Sequence, residues 1–378
     1  MYITFYKTKT TSQTKSLKQI TFEEYLLGAE FIDTAPIAVQ ESEIKRVTVQ
    51  KDKDALKQFY MTHFRSTWMD IPKPPAWPTS ELHNHYHSFD IPKKTGGLRH
   101  IDAPDDELKL YLTQIKLYFE NVLKILPHDA AHAYTKGRSV VTDLQVHQKA
   151  NTNWFLKLDL KDFFPSHNIE YVMKTLNDIY PIGFLLQNQA YKEQLQKALE
   201  YAFLDGKLPQ GTPLSPTLTN LLMVPIDYEI QHTLWSMKKD FVYTRYADDM
   251  TISSPYNFTW SEVQKTLESI LTKFNTPFKI KTEKTRYGSK AGRNWNFGIM
   301  LNKDNNMTIG HKRNQQFRAM IHNLLKDYLN GTIWPREDRA RLGGLISYYK
   351  MIEPEYIEHV LRTYESKFNL DIKAIIIE

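Results

Sequence analysis

Phe241-Val242-Tyr243-Thr244-Arg245-Tyr246-Ala247-Asp248-Asp249-Met250-Thr251-Ile252-Ser253 is the stretch whose reading decides the fold. Apolar and β-prone residues run into it and out of it, and two adjacent carboxylates sit at the break. This reads as a strand, a very tight turn and a second strand. Side chains alternate faces along a strand, so such a turn pushes both acids off the end of a sheet into open space. Paired acids at a turn are ordinarily just solvated. They do chemistry only if other parts of the chain supply what a carboxylate pair needs.

Upstream, Trp154-Phe155-Leu156-Lys157-Leu158-Asp159-Leu160 reads as a strand. Trp154, Leu156, Leu158 and Leu160 share one face, so Asp159 points from the other. An acid ending a buried strand is costly unless it is paired or holds a metal. Lys161-Asp162-Phe163-Phe164-Pro165-Ser166 then turns the chain, and helical patterns follow over about 169–179 and 189–204. Lys207-Leu208-Pro209-Gln210-Gly211-Thr212-Pro213-Leu214-Ser215-Pro216 is a punctuated loop that feeds one long apolar helix, about 217–237. Beyond the central hairpin lies a helix of about 261–274. From Lys279 the chain turns basic: Lys279, Lys281, Lys284, Arg286, Lys290 and Arg293 face only Glu283, with Tyr287 and Trp295 interleaved. The alternatives there are a solvated surface and a phosphate-facing strip, and the interleaved rings favour the strip. The stretch 310–378 is mostly helical, with Phe317, Met320, Ile321, Leu324 and Leu325 on one face.

Residues 1–80 have weak periodicity, short helical patterns at 23–27 and 53–60, and four prolines within 71–78. Those prolines forbid helix and central strand and mark a boundary or a strap. His83, His85 and His87 alternate on an expected strand. They form a weak metal pattern without a carboxylate or Cys partner nearby. Ile91 to Ile101 reads as strand, glycine turn, strand, and it carries Lys93, Lys94 and Arg99. That is either an exposed charged hairpin or a cationic clamp on a triphosphate. Residues 105–126 form an amphipathic helix with Asp105 and Asp106 at its start, where acids favour the helix dipole.

The 378 residues are 41% hydrophobic and 24% charged, ordinary for a globular protein with a real core. A net charge of +6 suits a polyanionic partner. The absence of cysteine excludes disulfides, Cys-ligated zinc and thiol nucleophiles. The first residues lack the apolar region of a signal peptide, and no apolar run is long enough to span a membrane. A soluble cytoplasmic protein without membrane partners is the expectation.

In order, the chain offers a basic hairpin, an acid at a strand end followed by paired aromatics, a Pro-Gln-Gly loop, a two-acid hairpin, a basic strip and a helical tail. Two-metal phosphoryl transfer needs this kit. Hard divalent ions want oxygen ligands from converging elements. Two such ions about 4 Å apart stabilise the attacking and the leaving oxygen.

The chain resembles the reverse transcriptases of bacteria, above all the retron-type and related phage-defence groups. Leu158-Asp159-Leu160-Lys161-Asp162-Phe163-Phe164-Pro165-Ser166 looks like the family's first acidic motif. Leu208 to Pro216 looks like its Gln-Gly motif, and Tyr243 to Asp249 like its Tyr-X-Asp-Asp motif. The match runs from about residue 86 to the end.

The resemblance implies an α+β right-hand polymerase: an N-terminal extension over 1–80, fingers and palm over 81–300, and a helical thumb over 301–378. It implies that Asp159, Asp248 and Asp249 hold two Mg²⁺ ions, with Mn²⁺ as an alternative, and that Lys284 protonates pyrophosphate. Lys93, Lys94 and Arg99 would grip a dNTP. Leu160, Gln210 and Gly211 would shape its pocket, and Phe164 would exclude a 2′-hydroxyl. His147, Tyr246, Arg286, Lys290, Arg293, Gly298, Arg313 and Arg318 would lie along nucleic acid. Implied partners are an RNA template, a cognate noncoding RNA, the DNA product, and an effector protein or a second reverse transcriptase.

Two stretches depart from the retron pattern. Asp143-Leu144-Gln145-Val146-His147 keeps only the His of an Asn-Ala-X-X-His signature, and Asn296-Phe297-Gly298 keeps only the Gly of Val-Thr-Gly. These departures point away from a standard retron, towards a defence-associated enzyme of another group. Untemplated or protein-primed DNA synthesis, a catalytically silent RNA-binding scaffold and an RNA polymerase remain as alternatives. The intact acids weigh against the scaffold, and Phe164 weighs against ribonucleotide use.

Overall fold

A strand that buries both faces, a helix with a continuous apolar stripe and a hairpin with a two-residue loop account for most of the architecture. The computed structural model describes residues 5–8, 17–20, 65–93, 96–292 and 298–377. In chain order the strands are β1 (Phe5–Thr8), β2 (Leu17–Ile20), β3 (Tyr86–Pro92), β4 (Leu98–Pro104), β5 (Trp154–Lys161), β6 (Val242–Tyr246), β7 (Asp249–Ser254), β8 (Lys279–Ile280), β9 (Arg286–Ser289), β10 (Met300–Leu301) and β11 (Met307–Thr308). The helices are α1 (Asp106–Leu117), α2 (Val140–Lys149), α3 (Ile169–Leu176), α4 (Ile182–Leu185), α5 (Gln189–Glu200), α6 (Ser215–Leu222), α7 (Val224–Ser236), α8 (Trp260–Lys273), α9 (His311–Leu329), α10 (Arg336–Ile352), α11 (Pro354–Phe368) and α12 (Ile372–Ile377). The class is α+β, and the paired strands are antiparallel.

The chain packs as two units, each discontinuous in sequence. The first comprises Met1–Tyr134, Leu160–Thr233 and Glu262–Lys281; the second comprises Thr135–Asp159, Leu234–Ser261 and Thr282–Glu378. Packing therefore groups the C-terminal helices with the two-acid hairpin.

In the first unit α1 supplies the spine of the core. Asp105 caps it by accepting from Leu108 N–H at 2.9 Å. Leu108, Leu112 and Ile115, at helical spacing, are fully buried. Each contributes roughly 1.5–3 kcal/mol by leaving water. The expected helix to residue 126 stops sooner, and its last turn, Tyr118–Val122, widens to a π-helix. There the Tyr118 hydroxyl donates to Trp68 O at 2.5 Å and meets the Tyr191 hydroxyl at 2.7 Å. Trp68, Ile71 and Trp77 join this core, so the proline-rich strap is packed rather than free. The single helix expected over 217–237 is two, α6 and α7, because Pro225 lacks the N–H that would continue it. The helical patterns at 23–27 and 53–60 lie outside the described residues.

The three-histidine strand is corrected. Thr79–His85 is a 3-10 helix, and β3 starts only at Tyr86. His83 pairs with Asp205 at 2.8 Å and His85 with Asp105 at 2.7 Å, so these histidines answer to separate acids. The β3–β4 hairpin forms as expected, with Ile91 opposite Arg99.

In the second unit β6, β7 and β5 pair in that order, and β9 pairs the far side of β5. α2 packs Val141 and Leu144 with Phe155, Ile299, Ile309 and Ile352. The last four helices share their own core, in which Phe317, Ile321, Leu324 and Leu325 of α9 meet Leu342, Ile357 and Leu361.

Candidate active site

Strand register brings the acids together. Antiparallel pairing sets Asp159 of β5 opposite Asp249 of β7, and Tyr246 of β6 also faces Asp249. Only Ala247 and Asp248 are left to make the turn. Ala247 has φ +58°, a left-handed conformation that costs a residue with a Cβ about 1–2 kcal/mol. Arg245, fully buried, holds the turn from inside by donating from Nη1 to Ala247 O at 3.1 Å. Asp248 is thereby displayed at the tip, and Asp249 is fixed against Asp159.

The electrostatics follow from this crowding. Burial pushes the Asp249 carboxyl up to about 7, with Asp248 and Asp159 adding to the shift and Lys284 and Lys157 opposing it. Lys284 donates from Nζ to Asp159 Oδ2 at 2.6 Å. That hydrogen bond heads the causes that raise the Lys284 pKa, so its ammonium stays charged. Lys157 shares the strand face of Asp159. Burial pulls its ammonium down to about 8, while Asp143 and Asp249 hold it up and Arg286 lowers it further. Tyr246 is raised by burial and then by Asp143.

Lys157 and Asp143 belong to this polar face, and the sequence reading assigned neither a role. The signal for Lys157 was its alternate spacing with Asp159 inside an otherwise apolar strand. Asp143 carried no such mark. Arg245 was also passed over, because a charged residue in a strand says nothing of a backbone carbonyl two residues on.

The donor set suits a hard divalent ion. It is all oxygen, its like charges are relieved by a cation, and an ammonium already sits on Asp159 as a counter-cation. Among the described residues no three His, Asp or Glu side chains converge closely enough to chelate one ion as they stand.

In the first unit, Gly211 has φ +119°, and a Cβ there would lie 2.8 Å from Asp102 O and 2.9 Å from Ile101 Cγ2. Only glycine lets the loop come this close to β4. Gln210 O accepts from Asp102 N–H at 2.8 Å, which joins the Gln-Gly loop to the basic hairpin. Lys93 and Arg99 are exposed on that hairpin, and Lys94 lies outside the described residues. Leu160 is buried, so its side chain serves the core rather than an open pocket wall. Phe164 is almost buried, its ring edge-on to Phe163.

A profile of the family described as reverse transcriptase (RNA-dependent DNA polymerase) matches residues 91–321, well over half of the chain. The chain belongs to the reverse transcriptase family. Among curated relatives, the retron Ec73 reverse transcriptase of Escherichia coli is 30% identical over 80% of this chain and 90% of its own length. The retron Mx162 reverse transcriptase of Myxococcus xanthus is 32% identical over 71% of this chain and 58% of its own length. Apo telomerase from Candida tropicalis is similar in structure at a TM-score of 0.46 and 11% identity, over 97% of this chain and 67% of that one. The departures at 143–147 and 296–298 pointed away from a standard retron enzyme, yet these sequence relatives are retron reverse transcriptases.

The residues expected along nucleic acid in this reverse transcriptase divide. His147 is fully buried, with Nδ1 2.6 Å from Ser253 Oγ and Nε2 2.8 Å from Thr244 Oγ1. Both ring nitrogens are engaged, so its expected contact with nucleic acid is corrected to a structural role. Lys290 spends its ammonium on Asn305 at 3.0 Å and Asn151 at 3.4 Å. Arg293 lies outside the described residues. Arg286 is exposed at the start of β9. Arg313 donates to Gly298 O, and Arg318 hydrogen-bonds Tyr364. No helix among the described residues is long and apolar enough to cross a membrane.

Proposed function

We propose that the chain is an RNA-directed DNA polymerase that extends a primer with dNTPs on a cognate noncoding RNA, in defence against phage. The observation that carries the reaction type is the register of β5 on β7, with Asp159 opposite Asp249 one residue from Asp248. Asp159 and Asp248, assisted by Asp249, would hold two Mg²⁺ ions, with Mn²⁺ as an alternative. When bound, the ions neutralise charge on the attacking and leaving oxygens.

The chain's own residues do the remainder. The primer 3′-hydroxyl gives up its proton to solvent and attacks the α-phosphorus of the dNTP, and the bond to pyrophosphate breaks. Lys284, whose pKa is raised, carries a proton to the departing pyrophosphate. Lys93, Lys94 and Arg99 grip the triphosphate. The Gln210-Gly211 loop sets the pocket wall, and Phe164 excludes a 2′-hydroxyl. Tyr246, Arg286, Gly298, Arg313 and Arg318 lie along the nucleic acid. In this reading 1–80 is an extension, 81–300 fingers and palm, and 301–378 a thumb. A noncoding RNA partner is supported by relatives named for retrons. The defence role is supported by the resemblance of the three motifs to phage-defence enzymes.

Asp248→Ala should abolish incorporation in a primer-extension assay while template–primer binding stays within about twofold. Synthesis at the wild-type rate would sink the metal assignment. Sequencing the RNA and DNA that copurify with the protein from its host tests the partner: a single structured RNA with a DNA copy is expected, and bulk cellular RNA alone refutes it.

A further inference from the structure

The turn after β5 is closed by carbonyls that each accept twice. Asp162, at φ +49°, accepts through its O from Ser166 N–H at 3.0 Å and from Ser166 Oγ at 2.6 Å. Phe164 O then accepts from His167 N–H at 3.2 Å and meets the His167 ring at Nδ1, 3.3 Å away. A carbonyl cannot donate, so Nδ1 carries the proton and the imidazole is the donor. His167 O in turn accepts from Leu208 N–H at 3.2 Å, two residues before Gln210. One buried residue thus links the backbone of Phe164 to the start of the Gln-Gly loop.

The surroundings of His167 are aromatic. Phe163 lies edge-on at 5.4 Å, Phe278 at 5.3 Å and Tyr171 at 5.8 Å, and no part of the residue reaches solvent. Nε2 has no hydrogen-bond partner among the described residues. A leucine or phenylalanine would fill such a cage without leaving a polar atom unpaired. What the imidazole alone offers is its ring N–H, aimed at Phe164 O with the backbone of Phe163 beside it.

We propose that His167 is a positioning residue for the sugar side of the nucleotide pocket: by fixing the Phe164 backbone and tying it to the Gln210-Gly211 loop, it sets discrimination between deoxyribo- and ribonucleotides. This rests on the reading of Phe164 as the residue that meets the sugar. His167 itself touches no substrate and acts through Phe164.

The test is single-nucleotide primer extension by the full chain, comparing kcat/KM for a dNTP with that for the matching rNTP. The ratio is independent of the fraction of active enzyme, so loss of folded protein alone does not move it. His167→Leu, which removes the donor, should lower the ratio by about fivefold or more. His167→Asn, which keeps an N–H in the place of Nδ1, should hold it within about twofold of wild type. In a Phe164→Ala background His167→Leu should change the ratio no further, as expected for two residues acting in series. If His167→Leu yields no folded protein, His167→Met, which also lacks an N–H donor, takes its place with the same expected ratio.

A shifted ratio in Phe164→Ala with an unchanged one in His167→Leu overturns the positioning role and leaves the Phe164 reading standing. An unchanged ratio in Phe164→Ala overturns that reading and this inference with it. Equal shifts in His167→Leu and His167→Asn, or additive effects in the double variant, exclude action through the Phe164 carbonyl.

Discussion

Single residues carry the tightest constraints. Gly211 is one: its left-handed φ and the 2.8 Å approach of a would-be Cβ to Asp102 O leave no room for a side chain. Gly211→Ala should cost about 1–3 kcal/mol, read as a fall in Tm, and should raise KM for dNTP because the loop is forced off β4. His167 is another. Burial depresses its pKa to about 4, against 6.5 for the free side chain. Above pH 6.5 neither folded nor unfolded chain holds the proton, and no stability is lost. As pH falls from 6.5 towards 4 the unfolded chain takes the proton and the folded chain refuses it. Stability should therefore drop by roughly 1.4 kcal/mol per pH unit at most, about 3 kcal/mol in all. Tyr171, the titratable ring in the cage, is pushed up to about 12 and stays neutral throughout. Urea denaturation at pH 7.5 and pH 5 should show a smaller loss for His167→Asn than for wild type; equal losses would refute the buried neutral imidazole.

Among the elements, α2 is held on the sheet by a buried polar contact. His147 on its last turn joins Thr244 of β6 and Ser253 of β7, one to each ring nitrogen. His147→Leu leaves both hydroxyls without that partner and should destabilise the protein by about 2–4 kcal/mol. The folded variant's affinity for template–primer should stay at wild type in a filter-binding assay. A selective loss of affinity with unchanged Tm would restore His147 to the nucleic-acid contacts. The strands themselves were legible, because alternation in 154–160 and the Tyr-Ala-Asp-Asp break fixed β5, β6 and β7 to within a residue. Helix continuity was less so. The widened turn at Tyr118 answers to hydroxyl partners 50 and 73 residues away, which no local pattern encodes.

For the whole molecule, the proposed function puts the exposed Arg99, Arg286, Arg313 and Arg318 of a chain with net charge +6 on phosphates, where binding releases counterions. Affinity for a template–primer duplex should fall steeply between 50 and 200 mM salt, with a slope of roughly eightfold per decade of salt for each phosphate neutralised. A flat dependence would remove these residues from the interface. The sequence by itself determined the α+β class, the order of the acidic and Gln-Gly motifs, the pairing face of Asp159 and the family, because alternation, glycine and adjacent carboxylates are local properties that survive without a partner. The tertiary structure alone decided that Arg245 props the Ala247 turn, that Lys157 and Asp143 join the acids, that His147 is spent on hydroxyls and that His167 holds Phe164. Each of those depends on a contact across the fold, and the energy of a buried polar group is set by what lies opposite it rather than by its neighbours in the chain.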